Sequence, residues 1–447
     1  MHFDRWSLIS TIDYFQFATW NVTKRYPTSW DASGTSQNWL VAPEIANNRV
    51  SFSDRLYNLF QNSNFTQFGN QAWITSTTQN ADSLESLHDA IHSITGNNGH
   101  MTYLDYAGFD PIFFLHHAMI DRCFALYQIL WPNTYVEPMA AVGSTFTYPA
   151  GSVEDVNSPL APFHSDTAGT SWTSATVTDI TGFGYTYPEL QNNVNAGSVR
   201  AAISKLYGST AGNSTVSKRD IGDDVAAAKG TQEASTGNAS SYEWACNIVS
   251  QKFQMNGSYA VYLFLDTPSN DSSQWSSDPN FCGTHGVFAN FAADDNIGMT
   301  QMDLKVTASL PLTTALISKV ASGDLSSLAP DVVEPYLTKN LNWRIKMFSG
   351  VEVDAADVPD LSVTVVGADV QPAPSEEEFP VWGQVTSYSS ITTGKAGGHS
   401  DQYWSSFSSS SSSSSGSSSS SSSSWSSSFS AGASLTLGER IYNGLGM

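Results

Sequence analysis

Basic residues are scarce in this chain: 19 Lys and Arg stand against 41 Asp and Glu, a formal charge of −22 over 447 residues. A surface of that sign repels phosphates and anionic headgroups, so neither nucleic acid nor membrane is expected as a partner. Cysteine is scarcer still. Cys123, Cys246 and Cys282 are the whole complement, too few for a disulfide framework, which fits a reducing compartment. No apolar run reaches the length of a bilayer-crossing helix, and the opening MHFDRWSLIS lacks the apolar core of a secretory leader. These absences set the expectation of an intracellular, cytoplasmic protein. Histidine is unevenly spread: only His2 precedes His88, and no second His-x-x-x-His pair occurs.

Five of the nine histidines fall between Ser83 and Trp131. His88 and His92 are four apart, with Leu84, Leu87, Ile91 and Ile94 at helical spacing around them. That pattern predicts a helix with both imidazoles on one face, one turn apart. Further on, Asp110 suits an N-cap and Pro111 a first helical position, so a second helix is predicted from there to about Trp131. It carries His116 and His117 among Phe113, Phe114, Ile120 and Phe124. Neighbours on a helix point about 100° apart, so one metal is expected to take only one of that pair. Three neutral imidazoles from two helices suit copper or zinc.

Taken in order, the blocks L-E-x-x-H-D-x-I-H, G-N-N-G-H-M and D-P-I-F-F-L-H-H-x-x-x-D-R resemble the second copper-binding half of tyrosinases, catechol oxidases and molluscan haemocyanins. Fungal tyrosinases carry the same blocks in this order. The resemblance implies a copper protein of the type-3 class, with His88, His92 and His117 as ligands. It places His116, Asp89 and Asp121 just outside them, with Asp121, one turn beyond His117, orienting an imidazole. Glu85 falls where fungal relatives hold a water that helps deprotonate a phenol. Asp89 stands where many tyrosinases have Asn, and Leu104 where the family puts a gate over the metal. The implied chemistry is o-hydroxylation of monophenols and oxidation of o-diphenols to o-quinones with O₂. The complete family holds two coppers in two sets of three histidines. This chain has one set and no F-x-x-W-H-R-like block, so a truncated copy is expected. Two rivals are a catalytically inactive half-site protein acting through its C-terminal part, and a haemocyanin-like O₂ carrier.

The remaining sequence sets a multidomain expectation, a helical copper-binding bundle followed by an all-β, sandwich-like domain. Residues 1–207 are expected to form a partial catalytic domain, with a helix over about Ser53–Phe60 preceded by a strand or loop. Pro159-Leu160-Ala161-Pro162-Phe163 resembles the family's substrate-side segment. Gly184-Tyr185-Thr186-Tyr187 resembles the tyrosine motif that closes the family's catalytic domain, and a helix is predicted over about Ser198–Tyr207. Residues 208–241 have almost no large apolar side chains and read as a flexible linker. By analogy a processing protease is expected to cut there, near Lys218-Arg219. Residues 242–390 alternate with period two, as in Tyr259, Val261, Leu263 and Leu265, with one helix near Leu312–Ala321. They resemble the shielding domain of fungal pro-tyrosinases. Within them Cys282-Gly-Thr-His285 is read either as a copper-passing pair or, more plainly, as a buried cysteine near a turn. Residues 391–447, Gly-rich and then nearly all Ser, are expected to be disordered. Phenols and O₂ are the expected small-molecule partners; the oligomeric state is left open.

Overall fold

Apolar residues on one stripe and N-caps at the right places build the helical part. The computed structural model describes residues 20–400 apart from 73–79, 142–146, 209–240, 290–303 and the single positions 193, 254, 256 and 359. Helix α1 (Val41–Leu59) is much longer than the segment predicted at Ser53–Phe60. Pro43 is accommodated because it lies in the first helical turn, where a missing N–H costs nothing. A short helix α2 (Phe65–Gly69) follows, capped by Asn64. Helix α3 (Leu84–Gly96) starts at Ser83, whose Oγ accepts the Ser86 N–H. It ends at Asn97, which adopts the left-handed conformation (φ 38°) that helix C-termini favour. Helix α4 (Ile112–Leu130) begins as predicted: Asp110 Oδ1 accepts the Ile112 N–H at 3.0 Å. Helix α5 (Ala196–Tyr207) starts two residues before its predicted position, because Asn195 and Ser198 form a capping box.

Leu56 and Leu59 from α1 with Phe60 at its end, Leu84 and Leu87 from α3, Leu126 and Leu130 from α4, and Val199 and Ile203 from α5 share one core. Between α4 and α5 lie two small hairpins, β1 (Met139–Ala140) with β2 (Val153–Glu154) and β3 (Pro159–His164) with β4 (Ser171–Thr173). The β3 hairpin holds the segment that resembled the substrate side.

The second part is a β sandwich. One antiparallel sheet runs β10 (Glu352–Val353), β9 (Leu341–Met347), β6 (Tyr259–Leu265) and β7 (Phe281–Val287). The other runs β12 (Val381–Trp382), β11 (Ser362–Gln371), β5 (Ser241–Gln251) and β8 (Lys305–Pro311), with β13 (Thr386–Ser387) also on β11. Tyr259, Val261, Leu263 and Leu265 face the shared core with Ile248, Val306 and Val363, as their alternation predicted. The other face of β6 is buried too, because Ala260, Tyr262 and Phe264 pack on Trp275 and Phe348. Helix α6 (Thr313–Ser322) lies within one residue of its predicted position; α7 (Pro330–Asn340) was not foreseen, since Pro330 and Pro335 read as breaks. Residues 391–400, expected to be disordered, pack on the sandwich: Ile391 is buried and Val363 bridges to Gly398. The linker with Lys218-Arg219, and residues 401–447, lie outside the described residues. No described helix is long and apolar enough to cross a membrane.

The two parts meet along α1 and α3. Arg55 on α1 is fully buried; it makes a bidentate pair with Asp82 (2.8 and 2.7 Å), donates to Ser86 Oγ, and reaches the Thr284 carbonyl on β7. Thr314 on α6 donates to Asp54 on α1 at 2.6 Å. Gly286 on β7 sits against α3 so closely that a Cβ there would lie 2.9 Å from Ala90 Cα.

Candidate metal centre

Helices α3 and α4 bring four buried histidines together. One ring nitrogen from each of His88, His92, His116 and His117 lies within 4.8 Å of the others. Among the described residues this is the one such group of three or more potential ligands; Cys282 and His285 do not belong to it.

The outer nitrogens of three rings are pinned. His88 Nδ1 meets Asp89 Oδ1 at 2.9 Å, His92 Nδ1 the Met101 carbonyl at 2.9 Å, and His117 Nδ1 the Phe113 carbonyl at 2.7 Å. Acceptors at all three Nδ1 atoms place the protons there and leave the Nε2 lone pairs free. Those Nε2 atoms converge: His88 to His117 and His88 to His92 are both 3.0 Å. Lone pairs that close repel unless a cation sits among them, so the donor set fits a metal such as copper. Burial, then the neighbouring imidazoles, push the pKa of His92 and His116 well below the usual histidine range, and that of His117 down to about 3. These three rings are therefore neutral, as metal ligation requires.

His116, read as lying just outside the ligands, has its ring stacked on His88 (centroids 4.9 Å apart, 21°), and its buried Nε2 has no hydrogen-bond partner among the described residues. The 100° divergence applies to the Cα–Cβ bonds; the His116 and His117 rings themselves lie 4.9 Å apart, and each is about as far from His88, 4.9 and 5.0 Å. Asp121 was expected to orient an imidazole. Instead it accepts from the hydroxyls of Tyr185 (2.8 Å) and Tyr187 (2.6 Å), while the carbonyl one turn earlier takes the His117 proton. The tyrosine motif thus ties the segment after the β3–β4 hairpin to α4.

Glu85 lies one turn before His88 and is buried. Its carboxylate accepts from the Gln71 backbone (3.1 Å) and side chain (2.8 Å), and Lys252 Nζ stands 3.8 Å away. The same Lys252 is 3.6 Å from Asp89, and Gln71 Nε2 also bonds Asp89 at 2.8 Å. Burial opposes ionisation of Asp89, but Lys252, His88 and Gln71 outweigh it and hold the carboxyl below its usual range. An ionised Asp89 fixes the His88 ring. Leu104 packs with Met101, Ile112 and Phe113 at the edge of the cluster.

Phe288, just past β7, belongs to that same apolar group and escaped the sequence reading. Its ring stacks on His92 (4.4 Å, 17°), so the sandwich covers one face of the cluster. Lys252, on the sandwich side, was missed as well. Nothing in the pattern of FCGTHGVFAN marks Phe288 apart from other aromatics.

Two family models match the chain: the common central domain of tyrosinase over residues 7–130 and the tyrosinase C-terminal domain over residues 243–365. The chain is 28% identical to a tyrosinase of Neurospora crassa over 85% of its own length and 69% of that protein. It is 29% identical to a tyrosinase of Podospora anserina, over 70% and 63%, and 26% identical to polyphenol oxidase 4 of Agaricus bisporus, over 74% and 54%. The chain thus spans between 54% and 69% of the length of these relatives. In fold it matches the structure of recombinant mushroom tyrosinase, with a TM-score of 0.66 at 23% identity, covering 84% of this chain and 69% of that one. With both family models matched in order and a buried imidazole cluster within the first, the chain belongs to the fungal tyrosinase and polyphenol oxidase family of copper oxidoreductases.

Proposed function

We propose that this chain is a tyrosinase-type oxidoreductase of phenols, with His88, His92 and His117 holding copper and the β sandwich shielding it. The convergence of three Nδ1-pinned imidazoles carries the reading. Copper bound there supplies the redox chemistry between O₂ and a phenol: o-hydroxylation of monophenols and oxidation of o-diphenols to o-quinones. The chain's own residues do the rest. Asp89 and the Met101 and Phe113 carbonyls fix the rings, and His116 adds a fourth nitrogen. Leu104, Met101 and Phe113 keep the cavity dry, and a flat phenolic ring suits the space that Phe288 fills against His92. Glu85, held as a carboxylate acceptor by Gln71 beside Lys252, is positioned to steady the α3 end of the site rather than to take a proton directly.

A second reading has its own observation: among the described residues one histidine cluster is present, where the family's reaction uses two ligand sets. The chain would then bind copper without oxidising phenols. Oxygen uptake by the copper-loaded full chain with 4-tert-butylcatechol separates the two. Copper-dependent uptake that rises in Phe288→Gly supports the oxidase. Bound copper without uptake assigns the inactive half-site, and failure to bind copper overturns both.

A further inference from the structure

A cleft of about 280 Å³ opens where the C-terminal end of α1 meets β5, β11 and the β12 segment. None of the four clustered histidines lines it. Its walls carry four carboxamides, Asn58, Gln61, Asn62 and Asn80, with the Glu243 carboxylate and the Trp382 indole. Trp382 is 37% exposed, unusual for so large an apolar side chain in a place where a sandwich meets a helix. It is nonetheless held in place: its Nε1–H donates to Gln61 Oε1 at 2.9 Å, and Gln61 Nε2 is in turn anchored on the Tyr57 carbonyl at 3.2 Å. The indole face is therefore a fixed apolar platform.

The carboxamides divide into two kinds. Gln61 and Asn62 are spent on structure, Asn62 through Gln67 Oε1 and the Asn64 N–H. Among the described residues, Asn58 and Asn80 are bonded only through Oδ1, which accepts from Gln61 Nε2 and from the Asp82 N–H respectively. Their Nδ2 groups remain as donors at the wall of a cleft that also holds the Glu243 carboxylate, an acceptor, and the Ser309 hydroxyl. An aromatic platform beside separated neutral donors and one acceptor is complementary to a ring with one C–H face and a rim of hydroxyls. The cleft volume fits one such ring.

We propose that this cleft binds a neutral pyranose unit, stacked on Trp382 with its hydroxyls accepting from Asn58 and Asn80 and donating to Glu243. The carboxylate of Glu243 and the net charge of −22 disfavour acidic sugars. This assignment is independent of the copper site.

Saturation-transfer NMR on the full chain tests it, with methyl β-D-glucopyranoside, methyl α-D-mannopyranoside and N-acetylglucosamine as probes, and glucuronic acid and cyclohexanol as comparisons. At least one neutral sugar is expected to bind in the millimolar range, with affinity falling about tenfold in Trp382→Ala and in Asn58→Ala. Glucuronic acid is expected to bind at least about fivefold more weakly. No transfer to any of the three neutral sugars overturns the assignment. So does binding unchanged by Asn58→Ala, or cyclohexanol binding as tightly as the sugars. Asn58→Ala alters only a partly exposed side chain, so it decides the matter if Trp382→Ala does not fold.

Discussion

Each ring of the cluster is set by what its outer nitrogen touches, and single substitutions expose this. Asp89 holds His88 at 2.9 Å, so Asp89→Asn is expected to weaken copper binding about 10- to 100-fold, read by competition with a chelator. Asp89→Glu, whose longer side chain misplaces the acceptor, should weaken it too; unchanged affinity in both would remove Asp89 from the site. The histidines themselves were legible because α3 and α4 announce themselves by periodicity and caps, and the resemblance assigned His88, His92 and His117 to a metal. Asp121 was misread because the sequence cannot say that a backbone carbonyl reaches His117 first. Phe288 was invisible for a different reason: its partner His92 is almost two hundred residues earlier, and only the tertiary fold brings them together.

At the level of elements, β7 is pressed onto the ligand helix α3, and Gly286 is the point of closest approach. A side chain there would also lie 2.6 Å from Ser93 Oγ and 3.1 Å from the Asp89 carbonyl. Gly286→Val should therefore destabilise the protein by about 2–3 kcal/mol through forced separation of strand and helix, seen as a lower urea midpoint. The buried Arg55–Asp82 pair joins α1, the start of α3 and β7. Removing one partner leaves the other charge buried, so Asp82→Ala is expected to cost about 3–5 kcal/mol in the same titration. A loss below about 1 kcal/mol would mean that water reaches Arg55. Strand β6 was legible from its alternation, though its second buried face was not. Helix α7 was not, because Pro335 inside it is tolerated only through the tertiary burial of Val333 and Leu337.

Across the whole molecule, polar groups sealed between the helical part and the sandwich make stability depend on pH. His285 on β7 is buried with neither ring nitrogen hydrogen-bonded, and burial, then Arg55, lowers its pKa to about 3. Asp89 and Lys252 also bear on it, in opposite senses. With the folded pKa below the unfolded value of about 6.5, the unfolded chain binds the extra proton between those limits. Stability is therefore full above about pH 6.5 and is lost as pH falls toward 3, at up to about 1.4 kcal/mol per pH unit for this group. Urea titrations at successive pH values should show that slope, and His285→Gln should flatten it. The histidine cluster lies beneath this same interface, covered by Phe288.

Copper per chain, measured by elemental analysis on the purified full-length protein after reconstitution and removal of loosely bound metal, tests the central claim most directly. The account predicts about one tightly held copper per chain, lost in His88→Ala and in His117→Ala while the fold persists by circular dichroism. Copper retained in those variants, or none bound by the unaltered protein, would contradict it.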